Sequence, residues 1–465
     1  MGTLSSLMDL SREALMADQN ALNVTANNVS NQKTPGYTRE VVSWQPTDAV
    51  TLSGTSYSIG ITSAATSVRD RVLEQRVQQQ TQTQSQSGAL QSALQQVQDI
   101  FGLSSTSTSA SSTALGSAVD SFFNSLSTLE GSPGDASARQ AVLTAANSLT
   151  SAFNSAANQL GQVSTGLDRQ VGTTVGQINS LTTTIASLNQ QIATISPNAD
   201  AGTLEDQRQM AIAQLSQYVG LDQMTTSSNG ITLTTANGAV LVSGSQSYAL
   251  STTQVAGKTD VVANGQDITS GITGGQLGGV LQARDQNLPA YASALDNLAY
   301  GIGTAVNQQN ALGSDGNGNP GGTIFTLPTS AAGAATSIQV ATSDPKAIAA
   351  AASGEGSSGS GNAIALADLS TANVAGGQTA SGFLASFLGQ VGNDAAGATT
   401  DNTAQQATLT QLTSQRDSLS GVSLDEEASN LTQYQRSYEA AAKVFSIVNS
   451  IMASALNLGV ETTVT

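Results

Sequence analysis

Apolar residues recur in pairs every seven positions over the first thirty residues: Leu7 with Met8, Ala14 with Leu15, Ala21 with Leu22, then Val29. That period predicts a helix with one apolar stripe. Thr3 offers a cap at its start, and the run Asn31, Lys33, Thr34, Pro35, Gly36 predicts its end, because proline disfavours helix in the residue before it. Residues 37–68 are then enriched in β-branched and aromatic side chains (Val41, Val42, Trp44, Val50, Tyr57, Ile59, Ile61) between glycine and proline breaks, which predicts strands and loops.

Helix is predicted again from near Arg69 to Phe101, with a Ser/Thr loop over 104–113 and a shorter amphipathic piece from Val119 to Leu129. The longest signal runs from Val142 to Ile195 in spacings of three and four, a helix of roughly 80 Å that Pro197 should close. Three consecutive fours between Val163 and Val175 match the insertion that locally unwinds a coiled-coil seam. A helical segment around Leu204, Ile212, Leu215 and Tyr218 follows.

Residues 229–250 predict a hairpin turning at Asn237-Gly238, inside a β-rich segment over 221–273 that is expected to form the tip of the molecule. Helix returns over 279–309, an irregular region with a Gly/Ser loop at 354–361 extends to about 378, and helix dominates from Phe383 onward. The final stripe is Leu424, Leu431, Tyr434, Tyr438, Ala441, Phe445, Val448, Met452 and Ala455. Two striped helices at opposite ends of a chain satisfy each other most simply by pairing, which brings both termini into one bundle.

The fold class is therefore mainly α, with long terminal and central helical bundles, a coiled-coil inner layer and a smaller β-rich outer domain. Its expected layers are 1–65 with 405–465, an inner helical domain with an extended segment; 66–220 with 274–404, a rod-like helical domain; and 221–273, the β-rich part.

Composition narrows the function. With no Cys and no His among 465 residues, thiolate nucleophiles, disulfides and imidazole bases or ligands are excluded. The formal net charge of −17, from 15 basic and 32 acidic residues, disfavours binding to a phosphate backbone. No run approaches the length of a membrane span, and the N-terminus lacks a basic stretch followed by an apolar one. No nucleic-acid or membrane partner, cofactor or metal is expected.

Apparent chemical motifs have plainer readings. Asp425, Glu426 and Glu427 lie at a predicted helix start, where acids suit the macrodipole. The glycines at 274, 275, 278 and 279 lack the strand-loop-helix context of a phosphate loop. Asp315, Asn317 and Asn319 have calcium-loop spacing, but Pro320 and Thr326 occupy the positions that need Gly and Glu.

Three segments in order, ALNVTANNVSNQKTPGYTRE at 21–40, GGQLGGVLQARDQNLPAYASALDNLAYGIGTAVNQQNALGSDGNG at 274–318 and SGVSLDEEASNLTQYQRSYEAAAKVFSIVNSIMASALNLG at 420–459, resemble the FlgK family, flagellar hook-associated proteins of the hook-filament junction. The resemblance implies a structural, non-enzymatic protein, exported through the flagellar type III apparatus. It implies an extracellular location, assembly as a helical ring permitting filament growth, and contacts with the hook protein and an adjacent hook-associated junction protein. The terminal stripes are then the expected assembly interface: Leu4, Met8, Leu15, Leu22 and Val29, with Leu424, Leu431, Tyr434, Tyr438, Phe445, Val448 and Met452. The family's export chaperone, FlgN, is expected on Leu431, Tyr438, Phe445 and Leu458. A secreted coiled-coil adhesin, binding a ligand through 221–273, and a glycan-cleaving enzyme are the competing classes.

Overall fold

The computed structural model describes residues 2–46, 49–52, 55–58, 61–103, 113–196, 200–226, 229–356 and 358–461. Helix α1 spans Gly2–Asn31, so Thr3 lies inside it rather than capping it. The chain then forms two nested hairpins. Strand β1 (Glu40–Pro46) pairs antiparallel with β4 (Ile61–Ser67), Glu40 opposite Ser67, and β2 (Ala49–Leu52) pairs with β3 (Thr55–Ser58).

Three helices follow, each with an oxygen-bearing side chain at its start. Asp70 accepts from Val72 N and Leu73 N to open α2 (Arg71–Ile100), Thr113 caps α3 (Ala114–Gly131), and Asp135 caps α4 (Ala136–Ile195). Helix α4 begins six residues before its first stripe residue because Asp135 supplies the cap; its 60 residues make it about 90 Å long. It ends at Ile195, where Ser196 N bonds Ile192 O. Pro197, the expected terminator, lies outside the described residues, as do 104–112 of the expected loop.

Helix α5 (Thr203–Tyr218) leads to a four-stranded antiparallel sheet, β5 (Leu221–Thr225), β6 (Ile231–Thr235), β7 (Val240–Ser243) and β8 (Gln246–Ser247). The predicted hairpin is β6-β7, with Gly238 at φ 85° in its turn. A second sheet has the order β11-β10-β9, from β9 (Ser251–Val255), β10 (Lys258–Ala263) and β11 (Gln266–Asp267). Both sheets lie on the flank of α4. Asn179 Nδ2 donates to Leu250 O at 2.8 Å, Asn189 Nδ2 to Ile231 O at 2.9 Å, and Asp168 accepts from Thr259 N at 2.6 Å. Neither sheet can cover both of its faces alone, and the side of α4 supplies the missing cover.

The returning helix is α6 (Gly275–Gln282), a π turn (Ala283–Asn287) and α7 (Leu288–Leu312) in succession. In the π turn, Arg284 donates to Asp168 Oδ1 at 2.9 Å and Thr259 O at 2.6 Å, tying α4, the second sheet and this helix together. A Cβ on Gly279 would lie 2.2 Å from Gln86 O, so this glycine serves the close crossing of α2 and α6 and not phosphate binding. Short elements follow: β12 (Gly313–Ser314), β13 (Phe325–Thr326), α8 (Ala334–Ser337), β14 (Gln339–Val340), β15 (Ala351–Ala352) and α9 (Gly361–Asp368). Asp315 Oδ1 accepts from Asn317 N and Asn319 N, both at 2.8 Å, a local turn in place of a cation loop.

Helix α10 (Ala380–Ser420) runs back along α2, with Gln80 Nε2 on Gln405 O at 3.0 Å and Gln84 on Asn402 at 3.2 Å, so position 405 falls inside an unbroken helix. Helix α11 (Leu424–Glu461) closes the chain against α1. The main apolar core extends from Ala93 to Ala398, and none of the described residues of α1 or α11 belongs to it.

Candidate assembly interface

The terminal module is α1, the β1-β4 hairpin and α11. Its sealed apolar seam is narrow: Ala17, Ala21 and Val24 from α1 and Val448 from α11, the last 2% exposed. Small side chains let the two helix backbones approach closely, and the hairpin covers another part of α1, where Asn20 Nδ2 donates to Ser63 Oγ at 3.1 Å. Trp44 of β1 packs near Tyr434 of α11, ring centroids 6.3 Å apart.

The predicted interface residues sit around this seam. Leu4, Met8, Leu15, Leu22, Leu431, Tyr434, Phe445 and Met452 are half-buried, Val29, Leu424 and Tyr438 are exposed, and Val448 alone is fully enclosed within the subunit. The side chain of Leu458 lies outside those described. The stripe is thus covered along one edge and open along the other. Leu7, which belongs to the predicted stripe, is exposed, and sequence reasoning missed a further apolar row beside it: Leu10 and Met16 on α1 and Val444, Ile447 and Ile451 on α11 are exposed too. Ile447 and Ile451 follow Val444 by three and seven residues, so they share a helical face, and that spacing was the available signal. Between Ala380 and Leu456, across α10 and most of α11, one window is long and apolar enough to cross a membrane by composition, and only 6% of it is buried.

A polar latch joins the two quoted terminal segments. Asn28 Nδ2 donates to Glu40 O at 2.8 Å and to Glu427 Oε2 at 3.2 Å, while its Oδ1 accepts from Tyr37 OH at 2.8 Å and Glu40 N at 2.9 Å. Arg39 donates through Nε to Glu427 at 2.8 Å and reaches Glu426 at 2.9 Å. Glu427 is 1% exposed, so it is a buried ion-pair partner and not merely a helix-start acid. Burial opposes the charge on Arg39, but the bonds to Glu426 and Glu427 outweigh it and raise its pKa. Burial, with the carboxylates of Glu40, Asp206 and Glu427, pushes the Tyr37 phenol up.

The latch is tied to the helical body at its base. Thr38 N donates to Asp206 Oδ2 at 3.2 Å, Arg39 N to Ser420 O at 2.9 Å, and Ser67 N to Asp200 Oδ2 at 2.5 Å. Arg69 pairs with Glu205 at 2.7 Å and with Asp206. Burial, then repulsion from Asp200 and Asp206, raises the Glu40 carboxyl above its ordinary value. Gly36 turns the chain at φ 76°, and a Cβ there would lie 2.4 Å from Met210 Cγ, so the turn seats directly on α5. Among the described residues no group of three or more acidic side chains is arranged to hold a metal ion.

Family models match three stretches: the flagellar hook-associated protein FlgK helical domain over 94–325, the flagella basal body rod protein over 8–38, and the flagellar basal body rod FlgEFG protein C-terminal over 413–458. Flagellar hook-associated protein 1 of Bacillus subtilis (strain 168) is 30% identical over 504 aligned residues, covering 97% of each chain. The protein of that name from Escherichia coli (strain K12) is 27% identical over 552, covering 98% of this chain and all of its own. The flagellar hook junction protein FlgK from Burkholderia pseudomallei has a similar fold, with a TM-score of 0.67 at 20% identity over 74% of this chain and all of its own. With both terminal rod-type segments, the helical domain between them and a relative matched along nearly its whole length, this chain belongs to the flagellar hook-associated protein 1 (FlgK) family.

Proposed function

We propose that this chain is a structural subunit of the hook-filament junction and assembles into a helical ring through the open side of its α1-α11 pair. One observation carries this reading: two long helices seal only a narrow seam and leave apolar rows exposed on both. Burying such a row against a neighbour is favourable by about 25 cal/mol per Å² of apolar area, and leaving it in water is not. The membrane-like composition of the window between Ala380 and Leu456 fits the same account, as apolar surface kept for other subunits.

In this reading the half-open residues Leu4, Met8, Leu15, Leu22, Leu431, Tyr434, Phe445 and Met452, with Val29, Leu424 and Tyr438, meet neighbours along the ring and in the hook protein and the next junction protein. Val448 holds the pair together from within. The terminal module of α1, the β1-β4 hairpin and α11 forms the inner layer, α2 to α7 with α10 the rod-like layer, and 221–273 its outward flank. Before assembly the chaperone FlgN covers α11 at Leu431, Tyr438, Phe445 and Leu458, the subunit leaves by type III export, and its work is mechanical rather than catalytic.

Ile447→Asp and Phe445→Asp place a charge on this surface. In cells whose only copy carries either change, hooks without filaments, with flagellin lost to the medium, are expected. Normal filaments from both variants would overturn the proposal.

A further inference from the structure

A small cavity with three arginines in its wall lies beside α5, next to the base of the latch. It has a volume of about 90 Å³ and is bounded by Arg69, Arg71, Glu74, Glu205, Arg208 and Gln223 among others. Arg208, on α5, is 4% exposed. Its NH1 group donates to two neutral acceptors, Asn189 Oδ1 at 2.9 Å and Asn229 O at 2.5 Å, while its Nε is buried with no acceptor.

The carboxylates nearby are engaged elsewhere. Glu205 lies 2.7 Å from Arg69 and 3.8 Å from Arg71, Asp206 pairs with Arg69, and Glu74 accepts from Gln209 at 2.8 Å and lies 3.5 Å from Arg69. Among the described residues none comes within ion-pair distance of Arg208. Burial holds Arg208 down at about 10; the attraction of Glu205 works against it, and repulsion from Arg69 and Arg71 adds to it. Across the cavity Gln223 Oε1 is a buried acceptor without a donor.

The cavity therefore presents an unneutralised guanidinium, an unused N–H and an unused acceptor. Water would serve the two hydrogen-bonding atoms but not the charge, and a buried cation left unpaired is costly. A protonated oxyanion supplies a negative charge, acceptors for the guanidiniums and an O–H for Gln223. The volume suits an ion of a few atoms.

We propose that this cavity binds a small protonated oxyanion of the phosphate class, held by Arg208 Nε with Arg69 and Arg71 and oriented by Gln223 Oε1. The ion would pin α5 to α2 and to the β5-β6 edge. Arg71 stands at the mouth with its side chain 63% exposed, where it can meet an entering anion.

The test is thermal unfolding of the full chain titrated with inorganic phosphate, against sodium chloride at matched ionic strength. A saturable rise of the midpoint with phosphate is expected, absent in Arg208→Gln, with half-saturation shifted upward about tenfold in Arg71→Gln. Sulfate, which brings no O–H to Gln223 near neutral pH, should bind more weakly than phosphate, and Gln223→Leu should narrow that difference. Should Arg208→Gln fail to fold, the exposed Arg71→Gln decides. A phosphate effect no larger than that of chloride, or one that Arg71→Gln leaves unchanged, overturns the site.

Discussion

Helix α4 and the α1-α11 pair carry the same kind of apolar stripe and meet different fates. Along α4, Val142, Leu149, Phe153, Val171, Ile178 and Ile192 are all sealed, because α3, α5, α8 and the two sheets pack on it from several sides. Along the terminal pair each helix has the other and the β1-β4 hairpin, and little else. Most of the stripe stays half-open there. Periodicity reports that a helix has an apolar side; it does not report whether the cover comes from the same chain or another.

The largest effect should separate the two regions outright. Phe153→Ala removes a ring at 0% exposure from the body and should cost about 3–5 kcal/mol in urea unfolding of the full chain. Ile447→Asp, on the terminal helix, should move the same transition by no more than about 0.5 kcal/mol. A large loss of stability from Ile447→Asp would show that its surface is already covered within the subunit, and the contrast would fail.

The latch is the exception inside the terminal module, since Glu427 is as buried as the body core. Glu427→Gln leaves Arg39 facing only Glu426 and should loosen α11 by about 3 kcal/mol, a magnitude typical of breaking a buried pair. Hydrogen exchange should quicken in α1 and α11 and stay unchanged in α4. Equal quickening in all three would mean that module and body unfold as one.

A smaller effect concerns pH. The Glu40 carboxyl is raised in the fold above its unfolded value near 4.5, so the folded state binds more protons there and stability falls as pH rises from about that value through the folded pKa. Glu40→Gln removes this loss, and its stability relative to the parent should improve between pH 4.5 and neutrality. Asp168 runs the other way. Burial opposes its charge, but bonds from Thr259 and the Arg284 guanidinium win and depress it, so its contribution is present above 3.8 and fades as pH falls below. Asp168→Asn should lose stability at neutral pH and show a shallower acid decline. An unchanged pH profile in either variant would remove that group from the account.

Much of this was legible from residue order alone. The stripe from Val142 to Ile195 foretold the longest helix, Asn237-Gly238 foretold the β6-β7 turn, and the Pro35-Gly36 break foretold the end of α1. Helix starts were less legible, because a cap such as Asp135 is one residue with no period behind it. The π turn at Ala283–Asn287 was invisible for a related reason: it accommodates Arg284, whose partners Asp168 and Thr259 are 116 and 25 residues away.

By itself the sequence determined which segments are helices, which carry an apolar side and that the two ends belong together, because those properties depend on neighbours three, four and seven positions apart. Tertiary structure alone decided that Asn28, Arg39 and Glu427 form one latch across 399 residues, that the β-rich segment lies on the flank of α4, and which apolar rows remain open. Burial and ion pairing depend on what arrives from distant parts of the chain, and no local pattern encodes that arrival.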